Sequence, residues 1–240
     1  MAIIYGIADS ERRLLKKLPD EVKTIEDIPR VLKEKKQEYD SIEKEGFANR
    51  LKRWNKKRKI NQIEKNKGSP LHRGAKGELI VLKKLSELDD DYHVLCGVRI
   101  DLGRYVTYPY RRKKNLRSAQ IDFVVVSNRG VVVIEAKNWS DEFLSKNIEH
   151  GGLIPHEQVD RAGMVLFIEL SSYLKNPPIT RVVVSTHGNM QYDPNYKFVS
   201  VKDLNNINSF SQKDMFFFIF CKFLIPSYNI DFYGKILIDR

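Results

Sequence analysis

The feature that most constrains the fold of this chain is a pair of apolar, β-branched runs joined by a tight turn. The runs are Ile121–Val126 and Val131–Ile134, and the tetrapeptide between them, at 127–130, reads Ser-Asn-Arg-Gly. Two valine-rich runs separated by a short turn with glycine predict the strands of a β-hairpin. We therefore expect this hairpin to lie within the sheet of an α/β domain.

Three charged residues interrupt the apolar hairpin at one of its ends. Asp122 lies near the start of the first strand, and Glu135 and Lys137 lie at the end of the second. Residues two apart in a strand share a face, and pairing across the turn places Asp122 opposite a position close to Glu135. The pattern predicts two carboxylates and an ammonium at one end of the sheet, where charges are costly unless they are paired or bind a ligand.

Two interpretations of these charges stay open at this point. Two neighbouring carboxylates are oxygen ligands suited to Mg²⁺ or Mn²⁺, and a bound metal can polarise a phosphodiester and activate water. The lysine would then orient that water or neutralise charge on the phosphate. The structural interpretation is a salt bridge between Lys137 and one of the acids at the rim of the sheet.

Further patterns on both sides of the hairpin predict a mixed sheet flanked by helices. Periodicity and β-branched content favour a helix at Gly77–Leu88, a strand at Val94–Leu102, a helix at Glu157–Leu174, a strand at Arg181–Ser185, an apolar helix at Lys213–Leu224 and an edge strand at Ile236–Ile238. A polar, basic insertion fills 104–117. We expect one α/β domain over 71–240.

The first 70 residues are predicted to form a basic helical arm. The chain has a net charge of +11, and residues 1–77 hold 21 Lys and Arg against 12 Asp and Glu. Such a field attracts polyanions and contacts phosphates without reading sequence. The candidate nucleic-acid-binding residues are Arg53, Lys56, Lys57, Arg58 and Lys59 in the arm, and Arg111, Arg112, Lys113 and Lys114 in the insertion. The alternative is an oligomerisation helix whose charge is merely solvated, with a homodimer seam of Leu32, Tyr39, Ile42 and Leu51.

Composition excludes several classes of protein. The apolar run Met215–Cys221 is far shorter than the ~18 residues that a membrane span needs, so no membrane partner is expected. Asp9 and Glu11 interrupt the apolar stretch that a signal peptide would need. The two cysteines, Cys96 and Cys221, make neither a disulfide framework nor a zinc set. We expect a cytoplasmic protein with buried thiols.

The motifs around the hairpin resemble the nuclease-related domain, NERD, of the PD-(D/E)xK nuclease superfamily. The resemblance covers roughly residues 71 to 175. Its matching pieces, in order, are Gly74–Glu78 (GAKGE) opening a helix, Tyr92–Ile100 as a strand, Gln120–Asp122 (QID), Gly130–Asn138 (GVVVIEAKN) and Pro155–Gln158 (PHEQ) opening the next helix. The basic insertion before QID and the absence of a glycine after Asn138 depart from the family pattern.

The resemblance implies a restriction-endonuclease-like fold and a metal-dependent nuclease that cleaves DNA, with RNA left open. It implies Asp122 and Glu135 as ligands of Mg²⁺ or Mn²⁺ and Lys137 as the catalytic lysine. Glu78 would be an accessory acid and metal ligand, or else an exposed glutamate in a first helical turn. Gln158 would hold the lysine or a phosphate, or else be a surface residue. The alternative function is a non-catalytic nucleic-acid-binding module that retains the nuclease fold.

Overall fold

The computed structural model describes residues 1–108, 115–139 and 155–186, together with the backbone of short strands at 197–200, 229–230 and 236–237. The chain divides into two compact units. One, the sheet unit, comprises Met1–Gly6 and Val81–Arg240, and the other, the helical unit, comprises Ile7–Ile80. The first six residues therefore belong with the sheet, although the sequence predicted them as part of the arm.

Five α-helices lie in the described part of the chain. They are α1 (Asp9–Leu15), α2 (Ile28–Asp40), α3 (Phe47–Asn66), α4 (Pro70–Ser86) and α5 (Pro155–Ser171), with a short 3-10 helix at Ile25–Asp27. Of these described helices, none combines the length and the apolar character required to cross a bilayer.

The sheet unit is built on six strands that follow one another in chain order. They are β1 (Ile3–Tyr5), β2 (His93–Thr107), β3 (Asn115–Ser127), β4 (Gly130–Lys137), β5 (Ile179–Ser185) and β6 (Lys197–Ser200). The pairs β2–β3 and β3–β4 are antiparallel, and the other three pairs are parallel. The predicted mixed α/β sheet with flanking helices is confirmed.

Both faces of this sheet are covered, which explains the nearly continuous apolar runs of its central strands. On one face, Val124, Val133 and Val183 pack with Val159 and Leu166 of α5. On the other face, a second apolar cluster joins the strands to the C-terminal part of α4; its members include Val81, Leu85, Phe123, Ile134 and Val184. The hairpin strands therefore lie in the middle of the unit, with their charged end at the rim.

The helical unit has an apolar core of its own, which the sequence did not predict for an arm. Leu14, Ile28, Val31 and Ile63 are at most 1% exposed and pack together. Helices α2 and α3 contact each other as a hairpin. The turn before α3 uses Gly46, whose φ of +87° is readily adopted only by glycine.

Helix α4 begins seven residues earlier than the sequence predicted. The expected start was Gly77, but the helix opens at Pro70, and the Oγ of Ser69 accepts the N–H of His72. Serine before proline is a favourable helix start, because the hydroxyl caps a first-turn N–H and proline needs no partner for its nitrogen. The domain boundary expected at residue 70 thus coincides with the N-terminus of a longer helix. The boundary between the two compact units falls within that helix, after Ile80.

Two other predictions of secondary structure need correction. The insertion at 104–117 is partly strand, since β2 continues to Thr107 and β3 begins at Asn115, with an irregular register between Asp101 and Val106. The expected edge strand near Ile236 instead forms β8 (Ile236–Leu237), which pairs with β7 (Asn229–Ile230) in a separate two-stranded sheet. The predicted helix at 213–224 lies outside the described residues.

Candidate functional site

The register of the β3–β4 hairpin brings the predicted acids together. Ser127 pairs with Gly130 across the turn, and Phe123 pairs with Ile134 at the far end of the ladder. The next position along each strand is Asp122 on β3 and Glu135 on β4. Both carboxylates therefore belong to the end of the hairpin, one residue beyond its last paired positions.

Asp122 also ends the regular part of the ladder. Its Oδ2 accepts the backbone N–H of Ala136 at 2.9 Å. The alternation of faces breaks here too, because Ile121 and Val124 both belong to the cluster under α5, whereas Phe123 between them belongs to the opposite cluster. A carboxylate that takes over a main-chain hydrogen bond is fixed in orientation, so Asp122 is a rigid part of the hairpin end.

Glu135 and Lys137 form an ion pair at the end of β4. The Lys137 Nζ lies 2.5 Å from the Glu135 Oε1, with side-chain exposures of only 13% and 12%. Lys137 Nζ also lies 5.0 Å from the ring centroid of Trp139, a cation–π distance. The ammonium is therefore held beside the carboxylate and over the indole, as the salt-bridge interpretation expects, and in a position that the catalytic interpretation also allows.

The first turn of α5 lies at the same end of the sheet. Helix α5 connects β4 to the parallel strand β5, so it runs against both. Asp160 on α5 contacts Arg181 on β5, with 3.3 Å between Oδ1 and Nη1. Gln158 lies two residues, about 3 Å of helical rise, nearer than Asp160 to the N-terminus of α5. The Oε1 of Gln158 is buried and has no hydrogen-bond partner among the described residues.

A buried polar cluster beneath this helix was not predicted from the sequence. The hydroxyl of Tyr108 donates to Asp160 Oδ2, and both residues are almost fully buried. Arg181 reaches the same carboxylate from β5. The cluster fixes α5 to β5 and to the end of β2, and no local signal in the sequence could reveal it, because its members are distant along the chain.

Glu78 lies in a different setting from the one predicted. It is the ninth residue of α4, not a first-turn residue, and it is 6% exposed. Its Oε2 accepts the N–H of Ser10 at 3.1 Å, and its Oε1 accepts the Ser10 hydroxyl. Ser10 is in the first turn of α1, whose N–H groups lack helical partners, so Glu78 caps α1 from another helix.

We expect Glu78→Gln to destabilise the helical unit by about 1–2 kcal/mol, because glutamine replaces a charge-assisted cap with a neutral one. The measurement is urea unfolding followed by circular dichroism. Ser10→Ala provides the matched control, since it removes the hydroxyl partner from the opposite side. If Glu78→Gln left stability unchanged but slowed catalysis and raised the metal concentration required, the accessory-acid role would be the better account of this residue.

The predicted phosphate-binding residues of the arm fall into two groups. Lys56 pairs with Glu38, and Lys59 pairs with Glu21 at 2.7 Å. The hydrogen bond from Lys59 is the main reason that the pKa of Glu21 falls to about 2. Lys57 and Arg58 are exposed on the opposite side of α3.

Arg53 also serves the helical unit itself. Its Nη1 donates to the carbonyl oxygens of Tyr39 and Ile42, at 3.1 and 2.8 Å, and its guanidinium stacks over the Tyr39 ring. It thereby caps the C-terminal end of α2. The candidate phosphate-binding residues predicted in the insertion, Arg111, Arg112, Lys113 and Lys114, lie outside the described residues.

The donor set at the hairpin end suits a small, hard cation. Asp122 and Glu135 supply carboxylate oxygens, and the buried amide oxygen of Gln158 is a further neutral oxygen of the kind that Mg²⁺ accepts. Within the described ranges, no group of three or more His, Cys, Asp or Glu side chains converges. Two carboxylates nevertheless match Mg²⁺, which is usually held by one or two carboxylates together with water and substrate phosphates.

The part of the chain that contains this site is similar to a known protein family. Residues 73–186 match the family model of the nuclease-related domain, NERD. The predicted resemblance to the nuclease-related domain family is therefore confirmed over this segment. The domain so delimited contains the hairpin, its two acids and lysine, and Gln158 on α5. It begins within α4, so most of the helical unit precedes the NERD segment.

Other comparisons add little to this assignment. A search of curated proteins finds no match. Among solved structures, protein VC1899 from Vibrio cholerae matches with 11% sequence identity and a TM-score of 0.29; the match covers 85% of this chain and 56% of that chain. The present chain thus spans little more than half of that structure's length, and a similarity at this level supports no argument about the NERD domain.

Proposed function

We propose that this NERD protein is a metal-dependent nuclease that hydrolyses phosphodiester bonds in DNA. The observation that carries the proposal is the end of the β3–β4 hairpin, where Asp122 and Glu135 both lie one residue beyond the last strand pair and Lys137 forms an ion pair with Glu135. The acids are the proposed ligands of Mg²⁺ or Mn²⁺, and Lys137 is the proposed catalytic lysine, as the resemblance to PD-(D/E)xK nucleases implies.

The residues present support a division of labour. A bound Mg²⁺ or Mn²⁺ would supply an activated water and neutralise phosphate charge. Asp122 holds its carboxylate rigidly, since a backbone N–H fixes one oxygen. Lys137, placed by Trp139, would stabilise negative charge that develops on the phosphate. The N-terminal end of α5 adds a favourable field for an anion, and Gln158 can donate through its amide nitrogen to a phosphate oxygen.

The experiment that tests the proposal is incubation of the purified chain with single-stranded, double-stranded and branched DNA and with RNA, in Mg²⁺, Mn²⁺ or EDTA. We expect metal-dependent cleavage of at least one DNA form and none in EDTA. The Glu135→Gln variant is the control for a contaminating nuclease. Absence of cleavage with every substrate and metal would favour the non-catalytic nucleic-acid-binding module, for which the Lys137–Glu135 ion pair would be purely structural.

Two double variants of α3 can distinguish lysines and arginines that bind phosphate from lysines that form ion pairs within the helical unit. We expect Lys57→Gln with Arg58→Gln to weaken duplex binding and to flatten the slope of log affinity against log salt, by up to ~0.9 for each phosphate that the variant no longer neutralises. Lys56→Gln with Lys59→Gln removes the same charge but breaks pairs with Glu38 and Glu21.

The second pair of substitutions should therefore change the salt slope less and lower the stability of the helical unit by up to ~1 kcal/mol per pair. The measurements are fluorescence anisotropy at several salt concentrations and thermal unfolding. Equal effects of both double variants on the salt slope would mean that net charge alone matters and that the pairing of these lysines does not.

A further inference from the structure

Helix α3 carries an exposed apolar stripe on the side away from the core of the helical unit. Phe47, Leu51 and Trp54 are 84%, 52% and 59% exposed. They are spaced at i, i+4 and i+7, which puts them on one face of the helix, whereas Ile60 and Ile63 on the opposite face are buried. Scattered apolar residues on a surface are normal, but three in line on one face indicate an interaction site.

The charges within the part of α3 that carries this stripe are all of one sign. Between Phe47 and Ile63 the helix has seven Lys and Arg residues and no Asp or Glu. The guanidinium of Arg58 lies 6.0 Å from the centroid of the Trp54 ring, and Arg50 and Lys57 are exposed next to the stripe. A partner that covers this face must therefore combine negative charge with flat apolar groups.

We propose that this face of α3 binds single-stranded nucleic acid, with unpaired bases stacked on Trp54 and Phe47 and the phosphates held by the adjacent arginines and lysines. This inference refines the substrate of the proposed nuclease and rests on that function for its biological meaning. Aromatic side chains flanked by cations are the usual means of binding single strands without sequence preference. Phe47 and Trp54 are seven residues apart, or about 10 Å along the helix, a length that about three stacked bases fill.

The same observations disfavour a DNA duplex or a second copy of the chain as the partner that covers the apolar stripe of α3. A duplex keeps its bases stacked inside, so it would use the cations but leave the stripe exposed. A second copy of the chain would place exposed cations such as Arg50, Lys57 and Arg58 against the same cations of its partner. Of the four residues predicted as a dimer seam, Leu32 is buried in the core of the helical unit and Tyr39 packs against that core.

An interfacial membrane helix is also a poor description of α3. Such a helix needs an apolar face along most of its length. The stripe instead continues, at the helical positions after Trp54, with Arg58 and Lys65. Only its first two turns are apolar, which suits a few bases better than a lipid surface.

The test is fluorescence anisotropy of the full chain in EDTA, with a labelled oligothymidylate and a labelled duplex of the same length. Trp54→Ala should weaken single-strand binding about 5- to 150-fold, leave the salt slope unchanged and barely affect duplex binding. Trp54→Phe retains a ring and should retain most of the affinity. Arg58→Gln should instead flatten the single-strand salt slope by about 0.7. Tyr173→Ala, at an exposed aromatic residue of the sheet unit, is the matched control.

Several results would overturn the inference. One is equal affinity of the Trp54→Ala variant and the unchanged chain for oligothymidylate. Others are a Trp54-dependent affinity for phosphatidylserine vesicles without any for oligothymidylate, or a Trp54-dependent dimer seen by analytical ultracentrifugation without single-strand binding. Because binding is measured in EDTA, it is independent of cleavage: a chain that cuts no substrate with any metal refutes the nuclease proposal alone, whereas the absence of Trp54-dependent binding refutes this inference alone.

Discussion

Lys137→Ala is expected to slow phosphodiester cleavage by about 10²-fold or more while the metal still binds. The substitution removes the ammonium that would stabilise charge on the phosphate, and losing one such electrostatic group costs about 10²–10³ in rate at other active sites. It leaves both acids in place, and it frees the Glu135 oxygen that Lys137 now contacts. Metal affinity should therefore be unchanged or slightly higher, as measured by Mn²⁺ calorimetry beside a cleavage assay.

The acids should behave differently from the lysine. Asp122→Asn keeps a side-chain oxygen that can accept the Ala136 N–H, so it removes charge with little change of structure. Asp122→Asn and Glu135→Gln should each lose metal binding and cleavage together, because the number of charged ligands sets affinity for a hard cation. These two variants are the matched controls for Lys137→Ala.

Thermal unfolding gives a readout that does not depend on activity. In EDTA, Lys137→Ala should be less stable than the unchanged chain, because the nearly buried carboxylate of Glu135 loses its ion-pair partner. Saturating Mn²⁺ should then raise its unfolding temperature at least as much as that of the unchanged chain, by mass action. If Lys137→Ala lost Mn²⁺ binding as completely as Asp122→Asn, the salt-bridge interpretation would be correct and the catalytic one wrong.

Gly163→Ala is expected to destabilise the sheet unit by about 2–4 kcal/mol, although alanine favours an α-helix over glycine by about 1 kcal/mol. A Cβ on Gly163 would come within 2.8 Å of the Cγ and Cδ of Arg181, and still nearer its Nε. Arg181 would have to move away from Asp160. The Asp160 carboxylate, whose side chain is 6% exposed, would then stay buried without this cation, which is costly.

The control for this substitution is a glycine at an equivalent place in another helix. Gly74 in α4 has only the side chain of Ser10 near its virtual Cβ, with the closest atom at 3.4 Å. Gly74→Ala should therefore be neutral or stabilising by up to ~1 kcal/mol. Chemical unfolding of both variants is the measurement, and a Gly163→Ala variant as stable as the unchanged chain would show that Arg181 can leave this position at no cost.

The sequence predicted the centre of the sheet unit well, because short-range rules govern it. The length of the turn at 127–130 fixes the register of the hairpin, and that register places Asp122 beside the end of β4, where its Oδ2 accepts the Ala136 N–H. Strand periodicity then puts Lys137 on the side of Glu135. Each step uses residues that are close along the chain, so no tertiary information was needed.

The sequence could not reveal contacts whose deciding partner is distant along the chain. Glu78 follows a glycine in a helix, and nothing nearby reveals that it caps a helix 68 residues away. Arg53 and Lys56 were predicted as phosphate ligands from the density of charge in α3. Which of those cations are engaged depends on how α3 packs against α2 and the preceding segment, and that packing was not visible in the local pattern.

Strand β1 has a consequence for how the two units fold. Its three residue pairs with β2 join positions 3 and 93, and the helical unit lies in the intervening loop. Closing a flexible loop of this length costs about 4 kcal/mol plus a constant, whereas a few strand hydrogen bonds contribute about 1 kcal/mol each. The strand hydrogen bonds alone therefore do little more than offset this cost, and folding of the intervening residues reduces it. Hydrogen exchange of the Ile3–Tyr5 amides should therefore report the integrity of the helices that lie between positions 3 and 93 in the sequence.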